Sequence, residues 1–367
     1  MSYIDALAST LTGNRESAEL SSEHLLLNEI REQPTTILDT LEAEKKSLPQ
    51  AANFLIRRDI HFLGMGSSYC AGLYARYLLQ EMAARRSEVH LASEFIHYPQ
   101  DVVANDAFVA ISQSGESVET VKAVELLKRK RALVLGITNN PESKLARLSN
   151  QTLLTHAGTE KVSATKSFTS TLTLLHMLSA TISRRTGKIN ERKLSQLSNQ
   201  LTKTASNLKH DFGRLEESCK PSSEQLAGSR SGMIVGRGPN LVAALQGALI
   251  FKEVAKIPTE GMSGGEFTHG PMEAVSKEMG VVVLGGGRTR ELQAKLAGRA
   301  KTLGAYVLLL APDASDGLDS IQFSACEESL MIFPCNVILN LLTYFTALRR
   351  GLNTDKFSVI SKITRTE

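Results

Sequence analysis

The sequence predicts a doubly wound α/β fold written twice in tandem, and three observations predict it. Short apolar strands alternate with longer helical stretches through both halves of the 367 residues, the pattern of a parallel sheet covered on both faces. The stretch "IHFLGMGSSYCAGLYARYLL" from Ile60 and the stretch "GMIVGRGPNLVAALQGALIF" from Gly232 share one grammar of strand, glycine turn and helix. Two further strands, "AFVAISQSGES" from Ala107 and "ALVLGITNN" from Ala132, are echoed at nearly the same offset by "GVVVLGGGRTRE" from Gly280 and "AYVLLLAPD" from Ala305. Matches at one offset mark an internal repeat.

In chain order, residues 1–34 form a helical lead-in, "SSEHLLLNEIREQP", which Pro34 is expected to stop. A first α/β domain follows at 35–185 and a second at 225–348, each expected to hold a five-stranded sheet. Between them, at 186–224, Leu194, Leu197, Leu201, Leu208, Phe212 and Leu215 recur at three- and four-residue steps and predict an amphipathic helix in a polar connector ending at "CKPSSEQLAGSRSG". The uncharged run Met331–Leu348 contains Pro334, Asn336 and Asn340 and is short for a bilayer, so it reads as a buried helix. Residues 349–367 are a tail.

Composition narrows the class. The chain is 42% hydrophobic and 22% charged, with a net charge of +4 spread along its length, a balance that points to neither nucleic acid nor membrane. The first twenty residues hold Asp5, Arg15, Glu16 and Glu19 rather than an apolar core. Cys70, Cys219, Cys326 and Cys335 show neither C-x-x-C nor disulfide-framework spacing, which suits a reducing cytoplasm. No His/Cys cluster at ligand spacing suggests a structural metal, so none is expected.

In doubly wound sheets ligands bind beyond the carboxyl ends of the strands, near helix N-termini. Two hydroxyl-rich turns fall there in the first half: "GSSY", with Ser67 and Ser68, and "SQSGES", with Ser112, Gln113, Ser114 and Ser117. Each alone fits an ordinary cap or turn; on successive strands they suit a phosphate, with Gly66 and Gly115 letting the backbone approach. "GMGSSY" lacks the third glycine of a dinucleotide fingerprint, and no Gly-Lys-Ser/Thr makes it a Walker loop. The second-half turns, "GRGPN" and "GGGRTRE", are poorer in hydroxyls, so phosphate is expected in the first half.

Three residues are candidates for proton chemistry. Glu253 lies near the end of the helix "LVAALQGALIFKEV" beside apolar Ile250 and Val254, the setting of a general base, although it equally fits a solvated helix end paired with Lys252. His269 sits in glycine-rich "GGEFTHGP", which keeps its ring accessible, and also fits an ordinary loop histidine. Lys362 in "SVISKITRTE" and Lys166 in "SATKSFT" fit either surface charges or amine chemistry.

Taken together, "GMGSSYCAG", "ISQSGES", "VSATKSFT", "GRGPNLVAALQGAL" and "GEFTHGP" resemble the sugar isomerase (SIS) family. Within it the chain is similar to the isomerase halves of glutamine–fructose-6-phosphate amidotransferases and to stand-alone glucosamine-6-phosphate deaminases. The resemblance implies a homodimer with shared sites, no cofactor and no metal. It implies that Ser67, Ser68, Ser112, Gln113, Ser114 and Ser117 hold a sugar phosphate, and that Gly66, Val162 and Thr165 contact the substrate. Glu253 would move the proton between C1 and C2, His269 of a partner would open the ring, and Lys362 would close over the substrate. The chain departs from the amidotransferases in having Ile250 for their lysine and Gln246 for their glutamate. It opens Met-Ser, without a glutaminase nucleophile, which favours release of ammonia. The expected reaction is therefore glucosamine-6-phosphate plus water to fructose-6-phosphate plus ammonia in the cytoplasm. An Amadori (fructosamine-6-phosphate) deglycase, an ammonia-dependent synthase and a non-catalytic phosphosugar sensor are the alternatives.

Overall fold

The computed structural model describes residues 24–103, 105–357 and 359. Two helices lead in, α1 (Leu25–Ala43) and α2 (Leu48–Leu55). The first sheet then takes strands β1 (Asp59–Gly64), β2 (Ser87–Leu91), β3 (Asp106–Ile111), β4 (Leu133–Thr138) and β5 (Gln151–Leu154). Between and after them lie α3 (Ser67–Ala83), α4 (Ala92–His97), α5 (Val118–Arg129), α6 (Lys144–Leu148) and α7 (Lys166–Arg185). A long helix, α8 (Glu191–Ala227), leads to the second sheet of β6 (Ser231–Gly236), β7 (Thr259–Ser263), β8 (Met279–Leu284), β9 (Tyr306–Ala311) and β10 (Asp319–Gln322). Its helices are α9 (Pro239–Ile250), α10 (Gly264–Thr268), α11 (Arg290–Thr302) and the closing α12 (Ile332–Arg349).

Both sheets are wholly parallel, and the repeat read from the sequence is a repeat of topology. The first runs β2-β1-β3-β4-β5 and the second β10-β9-β8-β6-β7. In each, the second strand of the half lies on one side of the first and the third on the other, so the winding reverses beside the first strand. Alternate strand residues face opposite layers. Ile60, Phe62, Val109 and Ile137 of the first sheet share one core with Ile234, Val282, Leu308 and Leu310 of the second. Leu63, Phe108 and Ala110 turn outward onto α4 and α5. A core common to both sheets fixes the halves against each other.

One proline departs from the sequence reading. Pro34 does not stop the lead-in: α1 runs nine residues beyond it with Pro34 itself buried. A mid-helix proline costs about 3 kcal/mol, but Leu26, Leu27, Ile30 and Ile37 are all buried, and each such side chain stabilises by roughly 1.5–3 kcal/mol. Burial wins. By the same logic α8 continues through Pro221 to Ala227, burying Leu197, Leu201, Leu208, Leu215 and Leu226, so the connector is one continuous helix. The uncharged run near the C-terminus is a core helix, as expected, with 94% of its most apolar window buried.

The central helix α7 is buried from Lys166 to Ser183. Its hydroxyls bond back along the helix, Thr171 to the Ser167 carbonyl at 2.8 Å and Thr173 to the Thr169 carbonyl at 3.0 Å. His176 is fully buried there, its Nδ1 3.1 Å from the Tyr74 hydroxyl. That hydroxyl donates its single hydrogen to the Ser329 carbonyl at 2.8 Å, so it accepts from His176 Nδ1–H, and the Nε2 lone pair is left unbonded. Burial lowers the His176 pKa from 6.5 to about 4. Below the unfolded value the unfolded chain takes up a proton that the folded chain refuses, so stability falls as pH drops from about 6.5 toward 4. Urea denaturation should show about 2–3 kcal/mol of such loss between pH 7 and pH 4.5, and His176→Phe should remove that part of the pH dependence.

Candidate active site

The winding of the first sheet reverses between β1 and β3, where helix N-termini and strand ends make a ligand site. A cleft of about 340 Å³ opens there. Ser67 and Ser68 begin α3 immediately after β1, and Gly66, its N-cap, has φ of 49°. After β3, the Ser112 N–H donates to the Ile137 carbonyl at 3.0 Å and its Oγ accepts from Gly115 N at 3.1 Å. Ser114 Oγ accepts from Glu116 N at 3.2 Å. A serine oxygen that accepts still has its own hydrogen to donate, so the turn bonds that shape this loop leave hydroxyl donors for an anion. Ser117 caps α5 and gives its hydroxyl to Glu119 Oε2 at 3.0 Å. One turn into α5, Thr120 lines the cleft with its buried hydroxyl unpartnered. Gln113 lines it too. The first-half serine turns therefore come together on one cleft.

The opposite wall comes from the loop joining β5 to α7 and from the second half. Glu29 of α1 accepts from Lys161 N, and from Val162 N at 3.3 Å. Glu160 accepts from Thr165 N at 2.9 Å, Thr165 Oγ1 at 3.2 Å, Ser167 N at 3.1 Å and Ser167 Oγ at 2.5 Å. Val162 lines the cleft and Thr165 does not: the backbone N–H and hydroxyl of Thr165 are given to Glu160. Lys166 is also turned away, buried and ion-paired with Glu32 of α1.

Glu253 reaches the cleft from the second half. It does not end an α-helix; α9 stops at Ile250, and Phe251–Ala255 form a π-helical turn. Lys252 is exposed, and the glutamate bonds across the junction instead, Ser163 Oγ donating to Glu253 Oε2 at 2.5 Å. That is the length of a hydroxyl–carboxylate bond. Of the two departures, Ile250 is buried in the shared core, and Gln246 donates to the Ala164 carbonyl at 3.2 Å, so Gln246 ties α9 to the same loop. His269 ends α10 at the carboxyl edge of the second sheet, exposed, and does not line this cleft. Lys362 lies outside the described residues.

Glu160, Ser163, Glu119 and Thr120 are cleft residues that the sequence reading did not single out. Ser163 lies inside the quoted "VSATKSFT" motif, and Glu119 follows the Ser117 cap at the spacing of a helix first turn; nothing in the sequence marks Glu160 or Thr120. Among the described lining residues, the ionisable ones are Glu119, Glu160 and Glu253, and none is a lysine, arginine or histidine. Glu119 stands within the hydroxyl cradle, bonded to Ser117, while Glu160 and Glu253 belong to the opposite wall.

Two tandem parallel sheets with a serine cradle at the first switch point define a sugar isomerase (SIS) domain protein. The chain belongs to the SIS domain family, whose sequence pattern matches residues 55–180 and 225–320. It is similar to glutamine–fructose-6-phosphate aminotransferase (isomerizing) of Pyrococcus horikoshii, 33% identical over 354 residues that make up 94% of this chain and 58% of that protein. The chain thus spans about three fifths of that relative's length. Its fold superposes on the C-terminal domain of glucosamine-fructose-6-phosphate aminotransferase from Francisella tularensis with a TM-score of 0.86 and 25% identity, covering 93% of this chain and 100% of that one. A glucosamine-6-phosphate deaminase from Thermotoga maritima shares the fold, with a TM-score of 0.72 and 22% identity over 92% of this chain and 99% of that one.

Gly115 is the most constrained residue of the cradle. Its φ is +65°, and a Cβ there would stand 2.1 Å from Ser143 Oγ. Gly115→Ala should cost about 1–3 kcal/mol in urea denaturation, and Ser143→Ala in the same chain should recover little of it, because the Ser143 Cβ at 2.4 Å and Thr138 Oγ1 at 2.8 Å still meet the added methyl.

Proposed function

We propose that the chain is a phosphosugar isomerase that deaminates glucosamine-6-phosphate. The observation that carries this reading is the lining of the cleft: serine hydroxyls at the switch point for a phosphate, and Glu160 and Glu253 on the opposite wall for an amine, with no lysine, arginine or histidine among the described lining residues. An ammonium beside Glu253 and Glu160 is favoured by their charge, and the hydroxyl donors suit an anion held without a compensating cation.

In the proposed reaction, Ser67, Ser68, Ser112, Gln113 and Ser114 hold the phosphate, with Ser117 beside them at the start of α5, while Gly66 and Val162 border the sugar. Glu253 takes the proton from C2 of the open-chain amino sugar and returns it to C1, while the amine gives up a proton and O1 gains one, so the aldehyde becomes a 1-hydroxyl and the amine a 2-imine. Water adds at C2 and ammonia leaves, giving fructose-6-phosphate. Ser163 fixes one oxygen of the carboxylate and so aims the other at the sugar. His269, exposed at the edge of its own chain, is assigned to ring opening in the site of a partner copy, which makes the working unit a homodimer; Lys362 is assigned to closure over the sugar.

An Amadori deglycase is the second reading. The buried Ile250 favours it, because the position where the amidotransferases carry a lysine offers no amine to the cleft.

A panel of 6-phosphorylated amino sugars and Amadori compounds, scored for ammonia or amine release, distinguishes the two. Ammonia from glucosamine-6-phosphate is expected; turnover of another phosphosugar without it would remove the deaminase reading. Glu253→Gln should lower kcat by about 10²- to 10⁴-fold while a bound phosphosugar is still detected by calorimetry. Mixing Glu253→Gln chains with His269→Asn chains should restore activity through the one intact site of the hybrid dimer, and an inactive mixture would place His269 in its own chain's chemistry.

A further inference from the structure

On the outer face of the first sheet, away from the cleft, His61 of β1 and Glu88 and His90 of β2 converge. Glu88 and His90 are two residues apart on one strand and so share a face, and the register sets His61 directly opposite Glu88. His61 Nδ1 and His90 Nε2 face each other at 3.1 Å, and Glu88 Oε2 lies 3.9 Å from the first and 3.7 Å from the second. One ligand atom from each residue falls within 4.8 Å of the others. Two imidazole nitrogens on one tetrahedral zinc, at about 2.0–2.1 Å each, stand roughly 3.3 Å apart. Behind His61, Asp106 of β3 places Oδ1 3.5 Å from Nε2, and its Oδ2 is held by Val103 N at 2.8 Å. A carboxylate behind the far nitrogen keeps the proton on Nε2 and presents the Nδ1 lone pair, the arrangement that orients metal-bound histidines.

We propose that His61, His90 and Glu88 form a site for a zinc-class divalent transition metal, with Asp106 as the positioning residue for His61. Imidazole pairs select zinc, cobalt or nickel over calcium and magnesium, which require oxygen ligands. The His61 and His90 side chains are 14% and 11% exposed and Glu88 58%, so the site opens to solvent on the Glu88 side, where water takes the fourth position. The stacking of His61 on Phe108, at 4.8 Å between centroids, limits its motion. The metal would clip β2, the edge strand, to β1. His61 precedes the serine turn by about 10 Å of strand, so the role is structural and does not depend on the catalytic reading. No spacing along the chain reveals the trio, because its third member arrives from a neighbouring strand.

The test uses the full chain, stripped with chelator and titrated with Zn²⁺ by calorimetry, with Co²⁺ as a visible-absorption probe. One zinc per chain, a raised melting temperature and tetrahedral cobalt bands are expected. Asp106→Asn should weaken binding about 10- to 100-fold, and His90→Gln and Glu88→Gln should abolish the stoichiometric ion. Glu88 is exposed enough that its substitution leaves folding intact, which circular dichroism checks. A wild-type chain that retains no zinc, or a Glu88→Gln or His90→Gln chain that retains it with equal affinity, would reduce the trio to a histidine–histidine hydrogen bond beside a surface carboxylate.

Discussion

Two carboxylates hold the loop between β5 and α7, and the cleft depends on them. Glu29 takes two backbone amides from one end of the loop, and Glu160 takes two amides and two hydroxyls at the other. Charge-assisted bonds of this kind are the strong ones, and each donor left unpaired in the interior would cost about 1–3 kcal/mol. Held this way, the loop puts Val162 and Ser163 over the switch point. From there Ser163 reaches Glu253 and the Ala164 carbonyl receives Gln246, both from the other half of the chain. The wall of the cleft that carries Glu253 is thus held in register by Glu29 and Gln246, neither of which lines the cleft.

The duplicated sheet has been used unequally. In the first half the switch point keeps short hydroxyl side chains at helix starts, so donors crowd one point. In the second, the corresponding turns offer glycines and Arg237, whose guanidinium meets Gln293 at 3.2 Å, and α10 with His269 occupies the edge beyond β7. Family membership accounts for the pair of sheets; the division of labour between them comes from which turn residues each carries. The shared core, the buried hydrogen bonds Gln33–Asn340 and Asn336–Gln33, both 3.0 Å, and the bond from Thr169 Oγ1 to Gln33 Oε1 at 2.7 Å hold α1, α7 and α12 together beneath that division.

What the sequence disclosed follows from how local each signal is. Strands, their repeat and the serine turns were legible because alternation, offset and turn chemistry are properties of neighbouring residues. The stop expected at Pro34 fails because a local cost is outweighed by tertiary burial. Thr165 bonds Glu160, a carboxylate five residues earlier whose place depends on a fold back of the chain. The ties of Glu29 and Gln246 join residues more than eighty positions from their partners, a distance at which no periodicity operates.

The π-helical turn at Phe251–Ala255 has a consequence of helical phase. A turn of this kind holds one residue more than an α-helix would, so side chains beyond it are rotated by about 100° relative to a regular continuation. Glu253 stands inside that offset while α9 before it stays packed in the shared core. Direction and packing are thereby separated: the helix can keep its buried face and still aim a carboxylate off that face. Losing a single residue from the turn would leave every chemical group of the cleft in the chain and swing the glutamate out of reach of Ser163. At this point the length of the chain, as much as its chemistry, carries the information.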